Sequence, residues 1–148
     1  MWKKLLATPN DYTATIARIT LGLVMFPHGA QKALGWFGGH GFTGTMGFFT
    51  ENLGLPAPLA FLVILAESLG AAALVAGLAG RVMAFGIAAV MAGAVGMAHL
   101  SHGFFMNWTG TAAGEGFEYH LLAITLAAVV MVRGSGAYSI DARLTRRG

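Results

Sequence analysis

The sequence predicts an all-α fold: a transmembrane four-helix bundle with a short interfacial amphipathic helix after the first span. Three observations carry this expectation. Of 148 residues, 56% are hydrophobic and only 10% charged, for a mean hydropathy of +0.68. Four mostly apolar segments, 12–34, 57–78, 82–101 and 116–132, approach or exceed the ~20 residues that a helix needs to cross a bilayer. Threaded through those segments, Lys3, Lys4, Arg81, Arg133, Arg143, Arg146 and Arg147 all fall on one side. That is the positive-inside pattern, and it places both termini in the cytoplasm. The expected location is a multi-pass protein of the inner membrane, with the lipid bilayer as its main partner. The sequence pI near 9.7 then reflects topology, and nucleic acid drops out as a partner.

Residues 1–148 read as one domain, because the connections are short apart from the first. The opening Met1-Trp2-Lys3-Lys4 is followed by Thr8-Pro9-Asn10-Asp11. No uninterrupted apolar run or small-residue cleavage site follows, so the first span is expected to be retained. The absence of cysteine excludes a thiol, disulfide or iron–sulfur mechanism carried by this chain.

Span one contains Pro27, which frees the carbonyl of Leu23 and opens space beside His28. The connection that follows is rich in glycine and aromatics, from Trp36 to Phe42. After Thr43, a candidate N-cap, the apolar positions Phe42, Met46, Phe49 and Leu53 repeat at helical spacing, as in a helix lying on the interface. Span two carries Glu67 near its middle. Span three carries a small-residue stripe, Ala88, Ala92 and Gly96, expected to let a neighbouring helix approach, with His99 continuing it. The loop from Gly103 to Trp108 is aromatic and lacks Lys and Arg, so it belongs on the outer side. Span four opens with Glu115 and Glu118.

Polar residues gather toward the outer ends of these spans: His28, Gln31, Lys32, His40, His99, His102, Glu115, Glu118 and His120. Polar side chains inside a bundle are costly, which makes a one-sided cluster a candidate site. Lys32, His40 and Glu115 are also accounted for as surface or capping residues. Arg18, His28 and Lys32 fall within roughly an 80° arc of one helix face. Glu67 at mid-membrane needs a partner or a proton, since an unpaired acid there costs about 2.5–3.5 kcal/mol. Arg18 is its leading partner by depth, with Lys32 or a histidine as the alternatives. His28 and His99 lie at similar depth, so a contact between them is expected. His28 and His99 could hold a haem iron or help bind a metal, and His99 and His102 with Glu118 could complete a carboxylate–histidine site; none of these spacings matches a specific metal motif.

The run Arg18-Ile19-x-Leu21-Gly22-Leu23-x-x-x-Pro27-His28-Gly29-x-Gln31-Lys32 resembles the first helix of the DoxX family. Leu65-Ala66-Glu67, Gly116-Phe117-Glu118-Tyr119-His120 and the closing Gly134-x-Gly136-Ala137-Tyr138-Ser139-Ile140-Asp141 are similar to that family's other landmarks. The resemblance runs along nearly the whole chain. It implies a small four-helix membrane protein linked to redox chemistry, for the family is named after subunits of a thiosulfate:quinone oxidoreductase.

Three functions follow as expectations. In the first, a redox-associated subunit, Glu67 and His28 would be catalytic groups handling protons. Arg18, Lys32, Gln31, His99, His102 and Glu118 would bind a quinone or small anion in an outward-facing cavity, beside a membrane redox partner protein. In the second, the chain is a non-catalytic scaffold or assembly factor whose polar seam fixes helix packing. In the third, the histidines bind haem or a metal. Quinone is the leading cofactor, ahead of haem or metal; the sequence does not name the substrate.

Overall fold

The computed structural model describes residues 5–146, so Lys3, Lys4 and Arg147 of the one-sided basic set lie outside the described residues. Among the described residues the chain is helical, without strands. The first helix, α1, is Tyr12–Leu34 and is continuous through Pro27. Asp11 caps it, its Oδ1 accepting from the backbone N–H groups of Thr13 and Ala14 at 2.8 and 3.2 Å. Gly35 ends it at φ 74°, the left-handed conformation that glycine adopts without strain.

A single 3₁₀ turn, Trp36–Gly38, leads into α2, which covers residues 41–52 and changes to π-helical winding over Phe48–Asn52. The helix expected after the first span is therefore present. It starts at Gly41, however, with His40 at the capping position and no side-chain capping bond, so Thr43 lies inside the helix rather than at its cap.

The next two helices are α3, Ala57–Ala76, and α4, Gly80–His102; each is long and apolar enough to cross a membrane. A 16-residue α5, Glu118–Arg133, and a short α6, Ile140–Arg146, complete the chain. The expected spans match α1, α3, α4 and α5 to within two residues at each end; α6 was not foreseen.

Each long helix buries one stripe. On α1 it runs Ala14, Ala17, Leu21, Met25 and Gly29; on α5, His120, Ala123, Ala127 and Val130. Spacings of three and four residues keep such positions on one face of a 3.6-residue helix. The stripes of α1, α3, α4 and α5 meet in one apolar cluster. Around it α1 packs on α3, α3 on α4, α4 on α5 and α5 on α1. Large apolar side chains remain on the outside of every long helix, among them Ile16, Leu23, Leu69, Phe85, Leu122 and Val132. A surface of that kind suits lipid rather than water. On α4 the buried face is Ala84, Ile87 and Met91, whereas Ala92 and Gly96 are exposed. Of the small-residue stripe expected to seat a neighbouring helix, Ala88 packs against the core, and the Ala92–Gly96 part points away from it.

The basic end is held by two long-range caps. Arg18 is buried (1% exposed), and its guanidinium donates to the carbonyls of Ser135 (2.6 Å), Leu74 (3.0 Å), Val75, Ala137 (3.2 Å) and Tyr138 (3.3 Å). Leu74 and Val75 lie in the last turn of α3, where the helix dipole is negative; the Leu74 carbonyl also accepts from Gly77 N–H at 3.0 Å. Asp141 does the reverse for α4: its carboxylate accepts from the N–H groups of Ala79 and Gly80 at 2.8 and 3.0 Å and from Ser135 Oγ at 2.5 Å. The segment between α5 and α6 thus clamps the α3–α4 turn. Arg18 is committed here, which corrects the expectation that it pairs with Glu67.

At the same end Arg133 pairs with Asp11 at 2.6 Å. This hydrogen bond, with those from the backbone, holds the Asp11 carboxyl below its ordinary 3.8. A depressed folded value means that the contribution is complete above the unfolded pKa and is lost as pH falls through the folded one. In detergent, Asp11→Asn should therefore melt below the wild type at pH 7, with the gap closing as the pH drops through and below 3.8. A gap independent of pH would show that the charge pair contributes nothing.

Candidate functional site

Between α3 and α4 lies a cavity of about 710 Å³. The first half of α3 packs on α1 and α2, and only its second half packs on α4. The two helices therefore diverge, and α2 brings Phe48 and Phe49 to the open end. Most of the wall is apolar, from residues such as Leu55, Leu59, Leu62, Val90 and Met97; the polar groups on it are His28, Lys32, Glu67, His99, Glu115, Tyr119 and His120.

Glu67 is the most enclosed of the acidic groups on this wall, 3% exposed. Lys32 Nζ lies 2.6 Å from its Oε2, as an ion pair and not as an aligned hydrogen bond. The pairing follows from helix register. A Cβ on Gly29 would overlap the Glu67 backbone carbonyl, and one on Gly22 would sit 2.8 Å from the Ala71 carbonyl. Two glycines seven residues apart thus let α1 and α3 touch backbone to backbone. That contact sets Lys32, one turn beyond Gly29, beside Glu67. Glu67 itself sits in a π-helical turn, Ala66–Gly70, and His99 in another, Val95–His99; such local widenings of the helix recur at functional sites.

His99 Nδ1 is 2.9 Å from the backbone carbonyl of Glu115. Its ring packs against His120, tilted by 44° with centroids 4.2 Å apart, in place of the expected contact with His28. His28 instead faces Tyr119 at 5.9 Å, and the Tyr119 hydroxyl donates to Met25 Sδ at 3.3 Å. His120 is 5% exposed, and its Nδ1 is enclosed without a partner.

Of the site residues expected from sequence, His28, Lys32, Glu67 and His99 share the cavity wall. Arg18 is at the opposite, basic end. Gln31 donates to the Phe37 carbonyl at 3.3 Å and steadies the 3₁₀ turn. Glu118 accepts from the N–H of Met106 and from Trp108 Nε1, at 3.1 and 3.0 Å, which fastens the outer loop. His102 is exposed and flanks Gly114. Among the described residues no three His, Asp or Glu side chains converge as a metal site would require. Tyr119 was missed as a site residue, and His120, though part of the polar cluster, was given no role. The signal was present for His120, which opens the stripe continued by Ala123, Ala127 and Val130.

A family model described as DoxX matches residues 13–100. The match takes in α1 through nearly all of α4, and so Lys32, Glu67 and His99, whereas the Gly116–His120 and Gly134–Asp141 motifs lie beyond it. No curated protein and no solved structure matched the chain.

Proposed function

The chain belongs to the DoxX family, and from that premise we propose that it is a four-span inner-membrane protein, both termini cytoplasmic, that binds a quinone within a membrane redox assembly. In this topology α1, α3, α4 and α5 cross the bilayer and α2 rests on the outer interface. Arg81, Arg133, Arg143 and Arg146 then share the cytoplasmic side. The Arg81 guanidinium, bonded to carbonyls of Leu5, Ala7, Met131 and Val132, supports a single basic end.

One observation carries the ligand class: a long, largely apolar cavity with a buried ion pair and imidazoles at its polar end. Its volume lies within the ordinary range for small-molecule sites. The apolar wall suits an isoprenoid tail, and the polar end a ring bearing two oxygens. A small anion fits less well, because the positive charge of Lys32 is already neutralised by Glu67, while Glu115 adds a second carboxylate to the wall. Quinones carry two electrons and two protons between membrane proteins. Glu67 holds a proton site at the ring, Lys32 fixes the carboxylate, and His28 and Tyr119 close the wall.

Purified protein is expected to take up a short-chain ubiquinone, read by ultraviolet absorbance after solvent extraction. Glu67→Gln leaves Lys32 unpaired beside the ring and should weaken that uptake about tenfold or more, as loss of a charged partner does in buried sites. A wild-type protein that takes up no quinone would remove this reading and leave the chain as a membrane scaffold.

A further inference from the structure

Building on the quinone reading, we propose that the cavity selects the reduced, hydroxyl-bearing form of its ligand, a quinol, and that His99 Nε2 is the atom that receives a ligand hydroxyl. The assignment starts from a single hydrogen bond. The Glu115 backbone carbonyl can only accept, so the His99 Nδ1 beside it at 2.9 Å must donate. A neutral imidazole has one ring proton, and here it is committed to Nδ1. Nε2 is left as a lone pair on the cavity wall, an acceptor. The carbonyl that fixes this tautomer belongs to an ordered loop: the neighbouring Gly116 N–H donates to the Phe105 carbonyl at 3.2 Å, and Asn107 N–H to Glu115 Oε2 at 2.7 Å. Tilted contact with the His120 ring, centroids 4.2 Å apart, holds the ring in place.

Two further groups on the wall have the same polarity. Glu67 Oε2 has no aligned hydrogen-bond donor, only the Lys32 ammonium as an ion pair. Tyr119 spends its hydroxyl proton on Met25 Sδ and turns lone pairs outward. Lys32, the one Lys or Arg on the wall among the described residues, already lies against Glu67. His28 makes no hydrogen bond among the described residues, so its tautomer is free to follow the ligand.

A quinol presents hydroxyl donors to these acceptors. A quinone presents carbonyl oxygens, and lone pair then faces lone pair at His99. An unmatched buried acceptor of this kind weakens binding by about tenfold or more. An inorganic anion meets the same acceptors and two carboxylates as well.

The test compares decylubiquinol with decylubiquinone, binding anaerobically to the full chain in lipid nanodiscs at pH 8. Quinol should bind about tenfold more tightly. His99→Phe, which keeps the ring volume and removes the acceptor, should bring the ratio close to one while leaving quinone affinity intact, so that quinone affinity also reports folding. His40→Phe, at the exposed cap of α2, should leave the ratio unchanged. Quinone binding as tightly as quinol to the wild type would overturn the inference and leave the quinone reading standing. A preference that survives His99→Phe would overturn the assignment to His99. If neither form binds, the quinone reading fails as well.

Discussion

Replacing Arg18 by methionine is expected to destabilise the protein by about 3–5 kcal/mol, the usual cost of removing one member of a buried charged network. Methionine fills similar space but removes the donor shared by five carbonyls, of which Leu74 and Ala137 keep a second one, from Gly77 N–H and Thr15 Oγ1. Two of the five belong to the last turn of α3, where the guanidinium also offsets the helix dipole. The others belong to the segment after α5, so the same side chain ties the beginning of the chain to its end. Arg18→Lys keeps the charge but brings three rotatable donors in place of a rigid fork. It should recover less than half of the loss. The measurement is unfolding by sodium dodecyl sulfate in mixed micelles. An Arg18→Met protein within about 0.5 kcal/mol of the wild type, the range of ordinary surface substitutions, would show that the clamp contributes nothing to stability.

Gly29→Val should have the second large effect and should strike stability and site together. The Cβ meets the Glu67 carbonyl and Ser68 Cα, which are backbone atoms and cannot turn aside. The helices must separate or slide, at about 3 kcal/mol, the upper part of the range for overpacking. Either movement carries Lys32 away from Glu67, so quinone uptake should be lost even at temperatures where the variant remains folded. Gly47→Ala is the matched control. Its Cβ meets nothing within 4 Å, and exchanging glycine for alanine inside a helix gains up to about 1 kcal/mol. If Gly29→Val and Gly47→Ala behave alike, the backbone contact between α1 and α3 does not set the site.

The partner of Glu67 shows where sequence reading stopped. Depth along straight spans pointed to Arg18. In the structure Gly29 lies against Glu67 and Gly22 against Ala71, which places Arg18 beside the end of α3, roughly 16 Å further along at 1.5 Å per residue. Span limits contain no information on how far one helix slides past the next. The glycines that set this register were in view in the sequence, but their contact face was not. His99 is a similar case. Its depth was legible, while its ring contact with His120 depends on α4 and α5 lying side by side, as the core stripe of α5 allows. Glu118 and Gln31 read as site residues because they are polar near a boundary. The loops they fasten are irregular, and hydrogen bonds of that kind have no periodic signature.

What the sequence determined by itself is the helical class, the limits of the long helices and the membrane setting, because these depend on local periodicity and on transfer of apolar side chains out of water. Family membership was likewise legible in its motifs. Tertiary structure alone decided the Lys32–Glu67 pair, the tautomer of His99, the clamp of Arg18 and Asp141 around the α3–α4 turn, and the outward face of the Ala92–Gly96 stripe. Each of these depends on the axial register and rotation of one helix against another. Those are fixed by close packing at a few small residues, and hydrophobic pattern leaves them open.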